Sequence, residues 1–75
     1  MSDRIQIDPN VCHGKPVFSG TRISVSTVLG ALASGDEAQT VLDDYPGLTK
    51  ADLDAALDFA RELSDYQLSA YEAVA

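Results

Sequence analysis

The stretch TKADLDAALDFAREL, residues 49–63, decides the fold class, because its apolar residues recur at the spacing of an α-helix. At 100° per residue, the apolar residues within about 80° of Leu53 are Ala56, Leu57, Ala60 and Leu63. The acidic residues on the opposite side are Asp54, Asp58, Glu62 and Asp65. This pattern is typical of an amphipathic helix with one face on a core and an acidic face in solvent.

The helix predicted here has a clear start and no clear stop. Thr49, with Asp52 three residues later, has the spacing of a capping box. No Gly or Pro follows, and apolar residues continue at helical spacing towards the end of the chain. We therefore expect a third helix over residues 50–65 or beyond, with residues 66–75 as a helical extension. A helix to about residue 72 would be roughly 35 Å long at 1.5 Å per residue.

Two shorter helices are predicted before it, the first over residues 25–34 and the second over residues 37–45. Their apolar residues recur with the helical period, and turn residues separate them. The residues expected to cap or stop them are Ser24 or Ser26 and Gly35 for the first helix, and Asp36, Gln39 and Pro46 for the second. The middle of the chain is thus a three-helix unit over residues 25–65.

Residues 1–24 have a different pattern, in which short β-type runs alternate with turns. Residues 4–7 alternate polar and apolar, as in a half-buried strand, and Val17-Phe18 is a short apolar pair. Such runs are too short for an independent sheet, so they pack on the helices or pair with a second chain. We expect one small domain over residues 1–75, mainly α, with short N-terminal β-strands and a long C-terminal helix.

The charge is distributed unevenly along the 75 residues, whose net charge is −7. Residues 1–35 have two acids and three bases, whereas residues 36–75 have ten acids and two bases. An acidic half repels phosphate backbones and steers association towards a basic protein surface. The basic residues left for nucleic-acid contacts are Arg4, Lys15, Arg22 and Lys50.

No residue pattern predicts catalysis, a metal or a cofactor. Cys12 and His13 are adjacent, but neighbours in an extended segment point to opposite faces, so a partly buried cysteine beside a turn histidine is the simpler interpretation. A structural zinc site needs four ligands, and the chain has one Cys and one His. Pro16 after Gly14-Lys15 excludes a phosphate loop. Gly20-Thr21-Arg22 could face an anion, although a structural turn is the simpler reading.

The third helix has more apolar surface than two short helices can cover, and the N-terminal strand leaves an open edge. We therefore expect a homodimer when no other partner is present. The residues predicted at a partner or dimer interface are Ile5, Ile7, Phe59, Leu63, Tyr66, Leu68 and Tyr71. The chain has one cysteine, Cys12, so it cannot form an internal disulfide that would stabilise it in place of a dimer.

The run GKPVFSGTRISV, residues 14–25, closely resembles the signature of the DUF433 family, a family of unknown function. The later runs VL at residues 28–29, DYP at 44–46 and LT at 48–49 also fit, so the resemblance covers about residues 5–60. It implies a helix-turn-helix, homeodomain-like fold after a short β segment. It also implies an antitoxin of a type II toxin–antitoxin pair, which binds a PIN-like nuclease and represses its own operon.

Two function classes therefore stay open, besides a small enzyme that the residues do not favour. One is an antitoxin-like interaction protein whose acidic helical half meets a basic toxin. The other is a stand-alone dimeric helix-turn-helix regulator that contacts phosphates, weakly when alone because few cations are available. The chain lacks the run of about 20 apolar residues of a membrane span. Its start lacks the apolar region of a signal peptide, so a cytoplasmic location is expected.

Overall fold

The computed structural model describes the backbone of residues 3–74 and the side chains of residues 3–65. The elements, in chain order, are strand β1 (Ile5–Gln6), a 3-10 turn (Cys12–Gly14), strand β2 (Val17–Phe18), and helices α1 (Val25–Ala33), α2 (Ala38–Asp44) and α3 (Lys50–Val74). The predicted mainly helical fold, with short N-terminal strands and a long C-terminal helix, is confirmed.

The two strands form a small antiparallel sheet, and its residues Ile5 and Phe18 pack into the same core as the helices. Ile5 pairs with Phe18 and Gln6 with Val17, and Val17 also bridges to Ser24. Strand β2 therefore lies between β1 and the segment that leads into α1. The first strand is shorter than the predicted span 4–7.

Helix α1 begins and ends as its sequence predicts. Of the two candidate caps, Ser24 is the one used, because its hydroxyl oxygen accepts the Ser26 N–H at 3.1 Å. The helix ends at Ala33, and Gly35 follows with a φ of +99°. A glycine adopts this left-handed conformation without the steric cost of a Cβ.

Helix α2 does not have the predicted capping box of Asp36 and Gln39. Its N-cap is Glu37, which makes no side-chain capping hydrogen bond. The Gln39 amide instead donates to Asp43 Oδ1, one turn further along the helix, at 3.0 Å. The expectation was wrong because the helix begins one residue later than the spacing implied, which leaves Asp36 outside it.

Helix α3 begins with the predicted capping box. The Thr49 N–H donates to Asp52 Oδ2 at 2.9 Å, and the Asp52 N–H donates to Thr49 Oγ1 at 3.3 Å. These reciprocal bonds satisfy two backbone donors that a helix start leaves unpaired. The helix spans 25 residues, which corresponds to about 37 Å.

The core lies where the sheet, α1, α2 and the first half of α3 meet. Its buried residues are Ile5, Phe18, Val25, Val28, Val41, Leu48, Leu53 and Ala56. Ile5 is 4% exposed, because the pairing of β1 with β2 turns this side chain into the core. A part for Ile5 in an interface therefore stays a prediction that depends on the backbone edge of β1 rather than on this side chain.

The buried face of α3 is rotated relative to the predicted one. Leu53 and Ala56 are buried and Phe59 packs partly against the core, whereas Leu57 is 51% exposed. The face is centred nearer Ala56 than Leu53, because α1 covers the side of the helix on which Phe59 lies. Leu57, predicted on the core side, lies in solvent.

Cys12 and His13 lie in a turn. The expectation that they are neighbours in an extended segment was therefore wrong. Their φ angles are +51° and +58°, followed by +80° at Gly14. Three successive left-handed residues are held by the Gly14 N–H donating to the Val11 carbonyl at 3.1 Å and by the Lys15 N–H donating to that of Cys12 at 3.2 Å.

Candidate interaction surface

An open groove of about 490 Å³ runs between α1 and α3. The residues that line it are Pro16, Val25, Ser26, Leu29, Gly30, Ala33, Phe59 and Leu63. Leu63 is 47% exposed at its edge. Of the predicted interface residues, Phe59 and Leu63 are the two that the structure brings together here, one turn apart on α3.

The sequence of α1 explains why the groove is open. Ser26, Gly30 and Ala33 fall on one face of this helix at a spacing of four and three residues, so the face is made of small side chains. The whole helix, Val25–Ala33, has no charged residue. The segment before α1 contributes Pro16 to the lining, and the Val25 N–H donates to the Pro16 carbonyl at 3.0 Å.

Gly30 lies in the groove at a position where the fold of this chain does not require a glycine. A Cβ at Gly30 would meet no atom within 4 Å, so packing does not require glycine. Gly in a helix interior costs about 1 kcal/mol relative to Ala. Glycine is favoured where another backbone or a ligand approaches closely.

The remaining predicted interface residues lie elsewhere. Ile7 is 50% exposed just after β1, so it stays available to a partner. Tyr66, Leu68 and Tyr71 lie outside the residues whose side chains the structure describes.

Three of the five basic residues are in ion pairs. Arg4 lies 3.1 Å from Asp52, and Lys50 lies 3.3 Å from Asp54. Arg61 is paired on both sides along α3, and the carboxylates it contacts are those of Asp58 at 2.8 Å and Asp65 at 3.4 Å. The predicted nucleic-acid contacts Arg4 and Lys50 are thus partly neutralised within the fold.

Within the part of the chain whose side chains are described, Lys15 and Arg22 are the basic residues that form no ion pair. Both side chains are exposed, and no carboxylate of residues 3–65 forms an ion pair with either. Lys15 lies just before the segment of residues 16–24 and Arg22 lies within it, so within residues 3–65 the N-terminal half presents two positive charges without an ion-pair partner.

Two ionisable groups are shifted by these contacts. Burial acts to raise the pKa of Asp52, but hydrogen bonds from the Thr49 N–H, from Arg4 and from the Thr49 hydroxyl outweigh it and hold this pKa below 3.8. On the exposed face of α3, the hydrogen bond to Asp58, followed by the charge of that carboxylate, raises the pKa of Arg61.

The sulfur and imidazole of the Cys12-His13 pair do not form a site with other groups. Cys12 Sγ donates to the Arg22 carbonyl at 3.6 Å, and His13 is exposed. Within the described part of the chain, no three His, Cys, Asp or Glu side chains are grouped as metal ligands. None of its described helices combines the length and hydropathy needed to cross a membrane.

The chain belongs to the family described as "Protein of unknown function (DUF433)", which it matches over residues 5–60. It is 44% identical over 54 residues to a protein of Mycobacterium tuberculosis (strain ATCC 25618 / H37Rv) with the name "Putative antitoxin VapB45". That match covers 72% of this chain and 22% of the relative. The chain therefore spans about a fifth of the length of this curated relative.

A crystal structure of a DUF433 member protein from Anabaena variabilis has the same fold. It superposes with a TM-score of 0.77 at 36% sequence identity, over 84% of this chain and 62% of that chain. The resemblance predicted from residues 14–25 is confirmed by these comparisons.

Sequence reasoning found two residues of the groove and missed its α1 side. The periodicity of α3 indicated Phe59 and Leu63, because the apolar surface of this helix is larger than a three-helix core can cover. The sequence signal for the α1 side was the spacing of the small residues Ser26, Gly30 and Ala33. This spacing indicates a groove only when α1 is known to pack against α3.

Proposed function

We propose that this chain is the antitoxin-like component of a type II toxin–antitoxin pair, acting in the cytoplasm. It binds a PIN-like nuclease toxin through its acidic helical half, neutralises it, and represses transcription of its own operon. The chain itself performs no catalysis in this proposal.

The observation that carries the proposal is the charge of the helical half. Residues 36–65 have nine acids and two bases, and both bases, Lys50 and Arg61, are already in ion pairs with acids of α3. The surface left over is negative, and such a surface steers association towards a basic partner. A nuclease binds a phosphate backbone with basic residues, so it offers the complementary surface.

The relative's name supports the same class. The M. tuberculosis protein that this chain resembles has an antitoxin name, and the shared part is the DUF433 region. In an antitoxin, this region would bind either the toxin or DNA. The negative surface of the helical half favours the toxin.

The test is co-expression with a PIN-like nuclease encoded beside the gene for this chain. We expect growth arrest by the nuclease alone, rescue by co-expression, and co-purification of the two proteins at a fixed ratio. A nuclease that still arrests growth and does not co-purify would exclude the proposal.

A second candidate function is a stand-alone dimeric helix-turn-helix regulator, and the cations Lys15 and Arg22, which form no ion pair within residues 3–65, favour it. The start of α3, where a recognition helix would read DNA, presents Asp54 and Asp58, which repel phosphates. Any contact to DNA is therefore assigned to the N-terminal hairpin and is weak.

A gel shift on the chain's own promoter region tests this candidate. Lys15→Ala and Arg22→Ala should each weaken binding more than Arg4→Ala or Lys50→Ala, because Arg4 and Lys50 are in ion pairs whereas, among residues 3–65, Lys15 and Arg22 are not. Tight binding at high salt that survives Arg22→Ala would contradict the assignment of the contacts.

A further inference from the structure

We propose that the groove between α1 and α3 binds the apolar face of a basic amphipathic helix from a partner protein. This inference rests on the proposed function, in that it names the surface through which the partner is held. The occupant inserts its apolar side chains between Gly30 and Leu63 and places basic residues over α3.

The shape and lining of the groove fit a helix face. It lies between two helices, and its open volume of about 490 Å³ admits a few apolar side chains rather than a whole element. Helices commonly bind partners by laying an apolar stripe into such a groove. Among the lining residues that the structure describes, Ser26 is the one with a hydroxyl, and none has a charged side chain.

A small-molecule ligand fits less well. Sites for small molecules combine an apolar lining with several converging polar groups that fix orientation. The lining side chains within residues 3–65 provide no such set of polar groups, since Ser26 is the single polar side chain among apolar ones there. An apolar segment of protein needs no such groups from the groove itself, because its own backbone bonds are made within its helix.

The charge around the groove selects a basic occupant over a second copy of this chain. Glu62 is exposed beside Leu63, and Arg61, the nearest base on α3, is already bound to Asp58 and Asp65. A second copy would bring a further net charge of −7 to this surface. A partner with Lys or Arg beside its apolar stripe would be attracted instead.

Gly30 supports a close approach at the centre of the groove. It is exposed in the middle of α1, and a Cβ at this position would contact no atom of another part of the chain within 4 Å. A glycine there lets a partner helix lie against the backbone of α1, which a longer side chain would prevent.

The experiment measures binding of a labelled peptide of about 15 residues, with leucine on one helical face and lysine on the other. A scrambled peptide of the same composition controls for charge alone, and a peptide with glutamate for lysine controls for the apolar face alone. The variant Gly30→Leu fills the groove, and Thr27→Leu adds the same side chain to α1 outside it.

We expect the ordered leucine–lysine peptide to bind wild type and Thr27→Leu alike. Gly30→Leu, the scrambled peptide and the glutamate peptide should each weaken binding by about tenfold or more. Equal binding to Gly30→Leu, or no binding to wild type, overturns the proposal. A wild-type dimer that Gly30→Leu converts to monomer also overturns it, since the occupant would be a second copy.

The same two variants separate this inference from the proposed function. If the nuclease binds wild type and Gly30→Leu equally, the groove is not its docking site, although the antitoxin function stands. If the nuclease fails to bind wild type while the ordered peptide binds through the groove, the groove inference stands and the partner is a different basic protein.

Discussion

The guanidinium of Arg4 lies 3.1 Å from the carboxylate of Asp52, 48 residues further along the chain. This ion pair connects the residue before β1 to the first turn of α3. The same carboxylate accepts the Thr49 N–H that caps the helix. One side chain therefore both starts the longest helix and attaches the N-terminal sheet to it.

Removal of the Asp52 carboxylate should destabilise the fold more than removal of its basic partner. We expect Asp52→Ala to lower the free energy of unfolding by about 1–2 kcal/mol, because it loses the helix cap and the ion pair together. Arg4→Ala should cost less than about 1 kcal/mol, since this side chain is half exposed. Urea unfolding measures both. Asp54→Ala, an exposed acid on the same helix, is the control and should change stability by less than about 0.5 kcal/mol.

Acid should weaken the fold through the same group. The pKa of Asp52 is held below 3.8 in the folded chain, so the folded state binds this proton more weakly than the unfolded state does. The stabilisation is therefore present above the ordinary pKa of the carboxyl and is lost as the pH falls through its lowered folded pKa. Urea midpoints between about pH 5 and pH 2 should therefore fall less steeply for Asp52→Asn than for wild type. Parallel curves would refute the role of this carboxylate.

Two glycines should respond in opposite directions to alanine. Gly30→Ala should raise the free energy of unfolding by about 0.5–1 kcal/mol, because it improves helix propensity where space is open. Gly35→Ala should lower it by about 1–2 kcal/mol, because φ at this position is +99°. Thermal or urea unfolding distinguishes them. A loss of stability in Gly30→Ala would mean that the groove is closed in the folded chain.

The chain alone is predicted to form a homodimer through the long helix or the edge of β1. Light scattering at micromolar concentration should give twice the mass of one chain, and a monomer mass would refute this. Changing Tyr66, Leu68 and Tyr71 together to Ser should yield a monomer if the helix forms the interface. A dimer that persists in this triple variant would assign the interface to the strand.

Local sequence signals predicted most of the secondary structure. The spacing of Thr49 and Asp52 located the start of α3, and Gly35 located the end of α1, because capping depends on neighbouring residues alone. The helices lie within a residue or two of the predicted spans, and α3 continues to Val74 as the uninterrupted periodicity allowed.

Features that depend on distant contacts were not predictable in the same way. The arc of α3 that is buried depends on where α1 packs, so Leu57 was placed in the core and is exposed. The burial of Ile5 depends on which way the strand pairing turns its side chain. The pairing of Arg4 with Asp52 and the groove at Gly30 likewise require the tertiary arrangement, to which no local spacing points.

The most direct test of the account is a calorimetric titration of this chain with the PIN-like nuclease at increasing salt concentration. The account predicts a stoichiometric complex whose affinity falls as salt rises and falls further in Glu62→Lys, because a negative helical surface meets a basic one. Lys15→Ala, a change in the N-terminal half, should leave that affinity unchanged. Absence of a complex, or an affinity that neither salt nor Glu62→Lys alters, would contradict it.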